Sequence, residues 1–267
     1  MKEIRKEEEK FKDSLIFEGF VSINSVIKGY ENGIHTRKIE KVLFDKAKEK
    51  SKSRELSYLF AKSKQLGFTI EKTTENEISD HTIGNTHGGI IAICSKREFS
   101  PIHKEDIKEN GFYVMLEGIE DPYNFGYALR SIYAAGADGV ILSERNWMSA
   151  AGIVARSSAG ASELMHIYAG DPLEAVCALK ESGYTVLAAD KTPDSVSVYE
   201  TDAKFPILLL IGGERRGLSR PILDSADKTI CLDYGRSFPA ALSAASAASI
   251  IAFEIFRQNR GKNGAES

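Results

Sequence analysis

Cysteine is scarce in this chain, with three residues among 267, and these three are far apart in sequence. Cys94, Cys177 and Cys231 form no CxxC pair, which argues against a disulfide framework and a structural zinc site and favours a reducing compartment. The five histidines show no HxxxH or HxH spacing. We therefore expect no metal to be bound.

The chain also lacks a long apolar run. No stretch reaches the roughly 18 consecutive apolar residues that a membrane-spanning helix requires. The first residues, MKEIRKEEEKFKDS, carry charges of both signs and no apolar segment, unlike a signal peptide. With 42% apolar residues the chain can still bury a large core. These features predict a soluble, cytoplasmic protein without a membrane partner.

Two nucleotide-binding signatures are missing as well. The glycines after the apolar run LLLI are Gly212, Gly213 and Gly217, which is not GxGxxG spacing, and they do not open the first strand–helix–strand unit. A dinucleotide-binding fingerprint is therefore excluded at this loop. No GxxxxGK[ST] loop occurs, which argues against a nucleoside triphosphatase.

A basic surplus is absent from the chain as a whole, because its net charge is −3. From residue 35 to residue 64, however, ten basic residues stand against four acidic ones, so this window is net +6 and the rest of the chain is net −9. Such asymmetry favours an N-terminal half that faces a polyanion. A solvated helix face with surplus lysines explains the charge equally well. The candidate RNA-binding residues here are Arg37, Lys38, Lys46, Lys48, Lys50 and Lys52.

The N-terminal part has the pattern of a small α/β domain. FVSINSVI predicts a helix, KIEKVLFD a strand, LSYLFAKSKQLG a helix ending at a glycine, and FTIEKT and GGIIAICSK two further strands. These elements predict a domain over residues 13–99. The polar, non-periodic stretch 100–111 is predicted to be a linker, and the polar tail 261–267 to be disordered.

Beyond the linker, apolar β-rich runs alternate with helical stretches. The runs are FYVMLE (112–117), GVILS (139–143), ELMHIY (163–168), YTVLAA (184–189), PILLLIG (206–212) and KTICL (228–232). The helical stretches are NFGYALRSIYAAG, PLEAVCALKESG and ALSAASAASIIAFEIFRQ. Continuous apolar strands separated by helices indicate a parallel sheet covered on both faces. Residues 112–260 are therefore predicted to form a second α/β domain.

Three loops of this second domain carry candidate chemistry, because ligands bind beyond the carboxyl ends of parallel strands. The first, LEGIEDPYNFGYALRS, holds Asn124, Gly126 and Arg130 at N-x-G-x-x-x-R spacing, with Arg130 expected near the same helix face as Asn124. A capped helix with a surface arginine would give the same pattern.

The second loop, LLLIGGERRGLS, places glycines and Glu214 at a strand end, where exposed backbone groups can contact a planar ring. The third, LDYGRSFPAALSAASAASIIAFEIFRQ, contains a run of small residues from 240 to 249 that predicts a thin, closely packed helix. Its apolar continuation suits either the core or an interface.

In this order the three loops resemble the three sequence motifs of the SpoU/TrmH family (SPOUT class) of RNA ribose 2′-O-methyltransferases. ARSSAGASELMHIY resembles the family's SAGA-type segment between the first two motifs. FEGFVSINSVIKGYENG through THGGIIAICSK resembles the ribosomal-protein-like substrate-binding domain that precedes the catalytic domain in many members. The resemblance covers about residues 15–260. It implies an α/β catalytic domain with a trefoil knot, S-adenosylmethionine as methyl donor, rRNA or tRNA as substrate, and a homodimer.

The resemblance also implies site residues. The cofactor set is Gly212, Gly213, Gly217, Ala189, Leu232 and Leu242. The catalytic set is Asn124, Arg130, Glu214 and Ser243. Because a guanidinium does not normally deprotonate in proteins, we expect Arg130 to hold a phosphate and to stabilise the developing alkoxide, while Glu214 accepts the proton or orients Arg130. A helix-capping role is the alternative for Glu214.

The sequence departs from the family pattern in the third motif. Where the family commonly has IPM after the last strand, this chain has Leu232-Asp233-Tyr234, and where it commonly has SLN, this chain has Ala241-Leu242-Ser243. The departure keeps a second hypothesis open, an RNA-binding or assembly factor of the same fold with weakened or lost activity. A third, an unrelated α/β enzyme using a nucleotide cofactor, is disfavoured by the missing phosphate loops.

For the dimer we expect a contribution from the apolar residues of the last helix. These residues are Ile250, Phe253, Ile255 and Phe256.

Overall fold

The computed structural model describes residues 15–82, 87–143 and 150–260. They form two compact units: the described residues of Met1–Glu98 and Asn146–Leu164 make up the first, and those of Phe99–Arg145 and Met165–Ser267 the second. Residues 150–164, the described part of the second of these segments, fall within the predicted range 112–260 but pack with the first unit. The predicted disordered tail, 261–267, lies outside the described residues.

Strands and helices alternate along most of the chain. The strands are β1 (Ile16–Glu18), β2 (Ile39–Asp45), β3 (Thr69–Thr73), β4 (Ile90–Cys94), β5 (Phe112–Glu117), β6 (Gly139–Leu142), β7 (His166–Ala169), β8 (Thr185–Ala189), β9 (Val196–Ser197), β10 (Ile207–Gly212) and β11 (Lys228–Cys231). The helices are α1 (Gly19–Glu31), α2 (Ser53–Leu66), α3 (Glu75–His81), α4 (Pro122–Ala134), α5 (Ala151–Ser157), α6 (Ala161–Leu164), α7 (Pro172–Glu181), α8 (Arg220–Asp224) and α9 (Ala244–Asn259). None of the described helices is long and apolar enough to cross a membrane.

The first unit is built on a four-stranded mixed sheet of order β1-β4-β2-β3. Strands β1 and β2 run antiparallel to β4, and β3 runs parallel to β2. The helix predicted from LSYLFAKSKQLG is confirmed as α2, which ends where Gly67 adopts a left-handed conformation. Helices α5 and α6 pack against β1 and α1. Helix α1 accepts α6 this closely because Gly29 has no Cβ, which would lie 2.0 Å from the backbone oxygen of Glu163.

The second unit contains a seven-stranded sheet of order β7-β6-β5-β10-β8-β11-β9. All of its neighbouring strands are parallel. Consecutive residues of β5 and β10 are buried on both faces of the sheet, as the continuous apolar runs predicted. The parallel α/β sheet is therefore confirmed. The trefoil knot stays a prediction.

Two predictions for this unit need correction. The run ELMHIY was expected to be one strand, but its first two residues belong to α6 and β7 begins only at His166. The predicted linker 100–111 is packed on the sheet: the Ala169 amide donates to the Ser100 oxygen (3.0 Å), and the Tyr184 hydroxyl donates to the Lys108 oxygen (2.6 Å). The Tyr113 hydroxyl likewise donates to the Asp106 oxygen (2.6 Å), so a main-chain bond and two buried tyrosines hold a stretch whose polarity predicted a free linker.

Candidate active site

A cavity of about 220 Å³ opens at the carboxyl ends of β8, β10 and β11. In parallel sheets ligands bind at this edge, where loops diverge and leave a crevice. Its lining residues are Ala189, Asp190, Lys191, Ile211, Gly212, Gly213, Glu214, Gly217, Ile230, Cys231, Leu232, Tyr234, Ala241, Leu242, Ala244, Ala247 and Ile251. All six residues of the predicted cofactor set are among them. The structure thus brings together side chains that are up to 53 positions apart in sequence.

The glycine loop after β10 folds back tightly on itself. The Gly217 amide donates to the Gly213 oxygen (2.9 Å), and the Gly213 amide donates to the oxygen of Glu117 at the end of β5 (2.6 Å). A Cβ at Gly212 would lie 2.2 Å from the carbonyl carbon of Gly217. Glycine is required at Gly212 because the returning backbone occupies the space of any side chain. Backbone groups therefore form this wall of the cavity.

The carboxylate of Glu214, in the second predicted motif, accepts hydrogen bonds from residues of the first and the third. Its Oε1 accepts a hydrogen bond from the Ala244 amide at 3.1 Å and another from Asn124 Nδ2 at 3.3 Å. Asn124 belongs to the first turn of α4, and Ala244 is the first residue of α9. The carboxylate also lies at the positive end of α9, where a negative charge is stabilised. The alternative was a capping role on α8, the helix after GLS, but the carboxylate instead accepts the first amide of α9.

Ser243 has a structural position at the start of the last helix. It is the N-cap of α9, and its hydroxyl accepts a hydrogen bond from the Ser246 amide at 3.2 Å. The thin helix predicted from the small-residue run is confirmed, starting at Ala244. Small residues let α9 lie close against α4, where the hydroxyls of Ser249 and Ser131 are 2.6 Å apart.

Arg130 forms no hydrogen bond or ion pair with the other predicted catalytic residues in the described parts of the chain. It is exposed, it does not line the cavity, and it has no ion pair within residues 15–82, 87–143 and 150–260. Six positions at 3.6 residues per turn place it about 120° around α4 from Asn124, so the expectation of a shared face was wrong. A cation this exposed is available to a phosphate group.

Sequence reasoning missed Asp190, Lys191 and Tyr234. The first two follow β8 directly, so the rule that selected the other strand-end loops could have found them. Tyr234 is fixed within its loop, since its hydroxyl accepts a hydrogen bond from the Leu242 amide at 3.1 Å. The Nζ of Lys191 lies 5.2 Å from the centre of the Tyr234 ring, a cation–π distance.

Comparison with known proteins identifies the family. The model of the SpoU rRNA Methylase family matches residues 111–253, more than half of the chain. The chain belongs to the SpoU rRNA Methylase family. A putative TrmH family tRNA/rRNA methyltransferase of Staphylococcus haemolyticus is 31% identical over 196 residues, which cover 71% of this chain and 78% of that protein.

Two further proteins are similar to this SpoU family member over most of their length. The 23S rRNA (guanosine-2′-O-)-methyltransferase RlmB of Shewanella oneidensis is 26% identical, over 77% of this chain and 85% of that protein. The AdoMet-bound rRNA methyltransferase of Sinorhizobium meliloti superposes with a TM-score of 0.73 at 24% identity, covering 91% and 86% of the two chains. That superposition supports the shared fold.

The basic window of this SpoU family member includes one residue that is unsuited to RNA binding. Arg37 is 3% exposed; its Nε lies 3.1 Å from Glu163 Oε2, its Nη1 donates to the Ser95 oxygen, and its guanidinium lies over the Phe17 ring. A buried, paired guanidinium cannot reach a phosphate. We therefore remove Arg37 from the predicted RNA-binding set.

The remaining lysines of that set differ in their exposure and in whether they form ion pairs. Lys48 and Lys52 form ion pairs with Glu75 (3.2 Å) and Glu55 (3.1 Å). Lys46 and Lys50 are exposed and form no ion pair within the described part of the chain, and Lys38 lies over the ring of Tyr30. Lys46 and Lys50 are thus the lysines best placed to meet a polyanion.

The last helix presents an apolar stripe. Ile250, Phe253 and Phe256 are 39%, 45% and 40% exposed, whereas Ile255 is fully buried. Ile255 therefore belongs to the core and is removed from the predicted dimer interface. The other three residues keep the exposure that an interface needs.

Proposed function

We propose that this chain transfers the methyl group of S-adenosylmethionine to a ribose 2′-hydroxyl of RNA. The observation that carries the proposal is Glu214, whose carboxylate joins all three family motifs beside a cavity lined by the six residues predicted to hold the cofactor. Membership of the SpoU family and the 2′-O-methylating relative support the reaction. S-adenosylmethionine supplies an electrophilic methyl group on a sulfonium.

The cavity fits this methyl donor in its chemistry. Its walls combine apolar side chains, among them Ile211, Leu232 and Leu242, with the bare backbone of the glycine loop. Apolar walls suit the faces of an adenine ring, and backbone groups suit its polar edge. A Cβ at Gly217 would meet nothing within 4 Å, so the space beside this glycine is open to a ligand. The carboxylate of Asp190 would accept hydrogen bonds from ribose hydroxyls.

The residues of the chain orient the substrate and move its proton. Arg130, exposed and without an ion pair in the described residues, holds the phosphate next to the target ribose and stabilises negative charge on its oxygen. Glu214 is fixed by two donors and keeps lone pairs that accept the hydroxyl proton. Ser243 acts through position, because as the N-cap it sets where α9 begins.

The first unit would bind the RNA, which we place among rRNA and tRNA in agreement with the names of the relatives. Lys46 and Lys50 would make the phosphate contacts. We also propose a homodimer that uses Ile250, Phe253 and Phe256, and a cytoplasmic location, where those RNAs are found. A monomeric mass by light scattering at micromolar concentration would refute the dimer.

An Arg130→Ala variant tests the proposal. It should lower methyl transfer about 10²–10³-fold, the usual effect of one preorganised electrostatic contact, while calorimetry shows unchanged S-adenosylmethionine binding. The matched control is Arg220→Ala, which removes an exposed arginine paired with Asp224 on α8. Full activity of Arg130→Ala would overturn its role. Wild-type protein that fails to bind the cofactor would instead favour the RNA-binding factor.

A Ser243→Asn variant examines the departure from the family pattern. Asparagine caps helices about as well as serine, so the start of α9 should remain in place. A change in rate then reports on chemistry at the site and not on helix stability. A higher rate would show that serine limits this enzyme, and a lower rate would show that the neighbouring loop is adapted to serine.

A further inference from the structure

We propose that the loop between β11 and α9, residues 232–243, also holds the base of the nucleotide that is methylated. This inference rests on the proposed function and adds residues that determine its specificity. The loop borders a second cavity, a shallow depression that is largely open to solvent. Its lining residues are Asp233, Tyr234, Gly235, Arg236, Phe238 and Leu242.

The second cavity lies directly beside the proposed cofactor cavity. Tyr234 and Leu242 line both, so the two spaces share a wall. The hydrogen bond between the Leu242 amide and the Tyr234 hydroxyl holds this wall together. A group in the second cavity therefore lies next to the methyl donor, which is where the target nucleotide must be.

Phe238 gives the second cavity a face for stacking. Its ring is 53% exposed and lies 6.3 Å from the ring of Tyr234, tilted by 51° to it. A phenylalanine this exposed costs free energy in water unless a partner covers it. A nucleobase is a partner of suitable shape, since any base can stack on an aromatic ring. A Cβ at Gly235 would meet nothing within 4 Å, so the approach is unobstructed.

The charges around the ring favour a nucleotide over an apolar protein segment. Arg236 is exposed and has no acidic partner within 4.0 Å in the described ranges, and it lies two residues from Phe238. A nucleotide combines a planar base with a phosphate, and this pair of side chains offers a stacking face with a cation. Asp233, which also lines the cavity, is fixed by the hydroxyl of Ser197. This carboxylate can accept hydrogen bonds from a base edge.

Three substitutions of Phe238 separate stacking from simple apolar contact. Phe238→Ala removes the ring, Phe238→Leu keeps an apolar side chain without an aromatic face, and Phe238→Trp restores such a face. The substrate is total rRNA and tRNA from a strain that lacks the gene, with radiolabelled S-adenosylmethionine as donor. We expect kcat/KM for RNA to fall roughly 5- to 150-fold in the alanine variant, similarly in the leucine variant, and to recover in the tryptophan variant. Binding of S-adenosylmethionine should stay unchanged in all three.

The outcomes separate this inference from the proposed function. Wild-type kcat/KM in the alanine and leucine variants would refute the role of Phe238 as a stacking surface for the base, here called the platform. The proposed methyltransferase function would be unaffected. Absence of both cofactor binding and methylation in the wild type would refute the proposed function, and the platform with it. A lower mass of Phe238→Ala by light scattering would make the ring a subunit contact and would also refute the platform. The control, Leu173→Ala, alters an exposed apolar residue on α7, a helix that packs on β6 and β8, and should change nothing.

Discussion

Replacing Glu163 by alanine should lower the free energy of unfolding of the first unit by more than the substitution of a surface residue does. Its side chain is 4% exposed, and its Oε2 lies 3.1 Å from Arg37 Nε and 3.2 Å from His35 Nε2. Arg97, also buried, donates to the backbone oxygen of the adjacent Ser162 at 2.7 Å. Burial lowers the pKa of Arg97 to about 10, and the nearby Glu163 opposes that shift. Glu163 is therefore the counter-charge of two buried guanidinium groups.

The size of the effect follows from the uncompensated charge. Removing one partner of a buried ion pair costs about 3–5 kcal/mol, because the other charge stays buried without compensation. In the Glu163→Ala variant, Arg37 keeps its hydrogen bond to Ser95 and its contact with the Phe17 ring. We therefore expect the loss of unfolding free energy to lie near the lower end of this range. The double variant Arg37→Met/Glu163→Leu should lose less stability than Glu163→Ala, since it leaves only one buried guanidinium, that of Arg97, without its counter-charge.

Urea unfolding followed by far-UV circular dichroism measures this loss. Glu181→Ala, which removes an exposed glutamate at the end of α7, is the matched control. A loss below about 1 kcal/mol for Glu163→Ala, the range of surface ion pairs, would show that the cluster does not hold residues 150–164 on the first unit.

Three further predictions concern pH, the glycine loop and RNA binding. Burial lowers the pKa of His35 from 6.5 to about 4 against the opposing charge of Glu163, so the unfolded state binds the extra proton. The free energy of unfolding should thus be intact above pH 6.5 and fall by up to about 3 kcal/mol towards pH 4, a loss that urea titrations of His35→Gln should not show. Gly212→Ala should weaken S-adenosylmethionine binding and cost about 1–3 kcal/mol of stability by overpacking, whereas Gly235→Ala, with open space at its Cβ, should be neutral in calorimetry and urea unfolding. Replacing Lys46 and Lys50 by glutamine should reduce the salt dependence of RNA affinity by about 0.7–0.9 per lost phosphate contact in filter binding, and an unchanged slope would mean that these lysines are only solvated.

Much of the secondary structure of the second unit could be predicted because it depends on residues that are close together in sequence. The run FYVMLE coincides with β5, and PILLLIG contains β10, since a strand buried on both faces must be apolar throughout. The helices α4 and α7 end two residues before Gly136 and Gly183, where φ is +84° and +86°. The prediction for ELMHIY was wrong because Glu163 lies in a helix and is buried against Arg37, 126 positions away. The apolar periodicity around Glu163 gives no information about a partner so distant in sequence.

The candidate site also has a part that could be predicted from the sequence and a part that could not. Strand-end loops identified Asn124, the glycine loop and Glu214, because the carboxyl edge of a parallel sheet collects ligand-binding groups whatever the fold does elsewhere. The hydrogen bonds of Glu214 to Asn124, 90 positions away, and to Ala244, 30 positions away, could not be inferred from spacing. Charge alone likewise could not separate Arg37 from Lys46, although the first is buried and the second exposed.

The sequence by itself determined where strands and helices form, which loops lie at the carboxyl edge and which family the motifs resemble. These properties depend on residues a few positions apart, where backbone sterics and apolar periodicity act directly. The tertiary structure alone decided that residues 150–164 pack with the first unit, that Ile255 is core and that Tyr234 lines two cavities. Each of these depends on contacts between distant parts of the chain, which form only when both surfaces are folded.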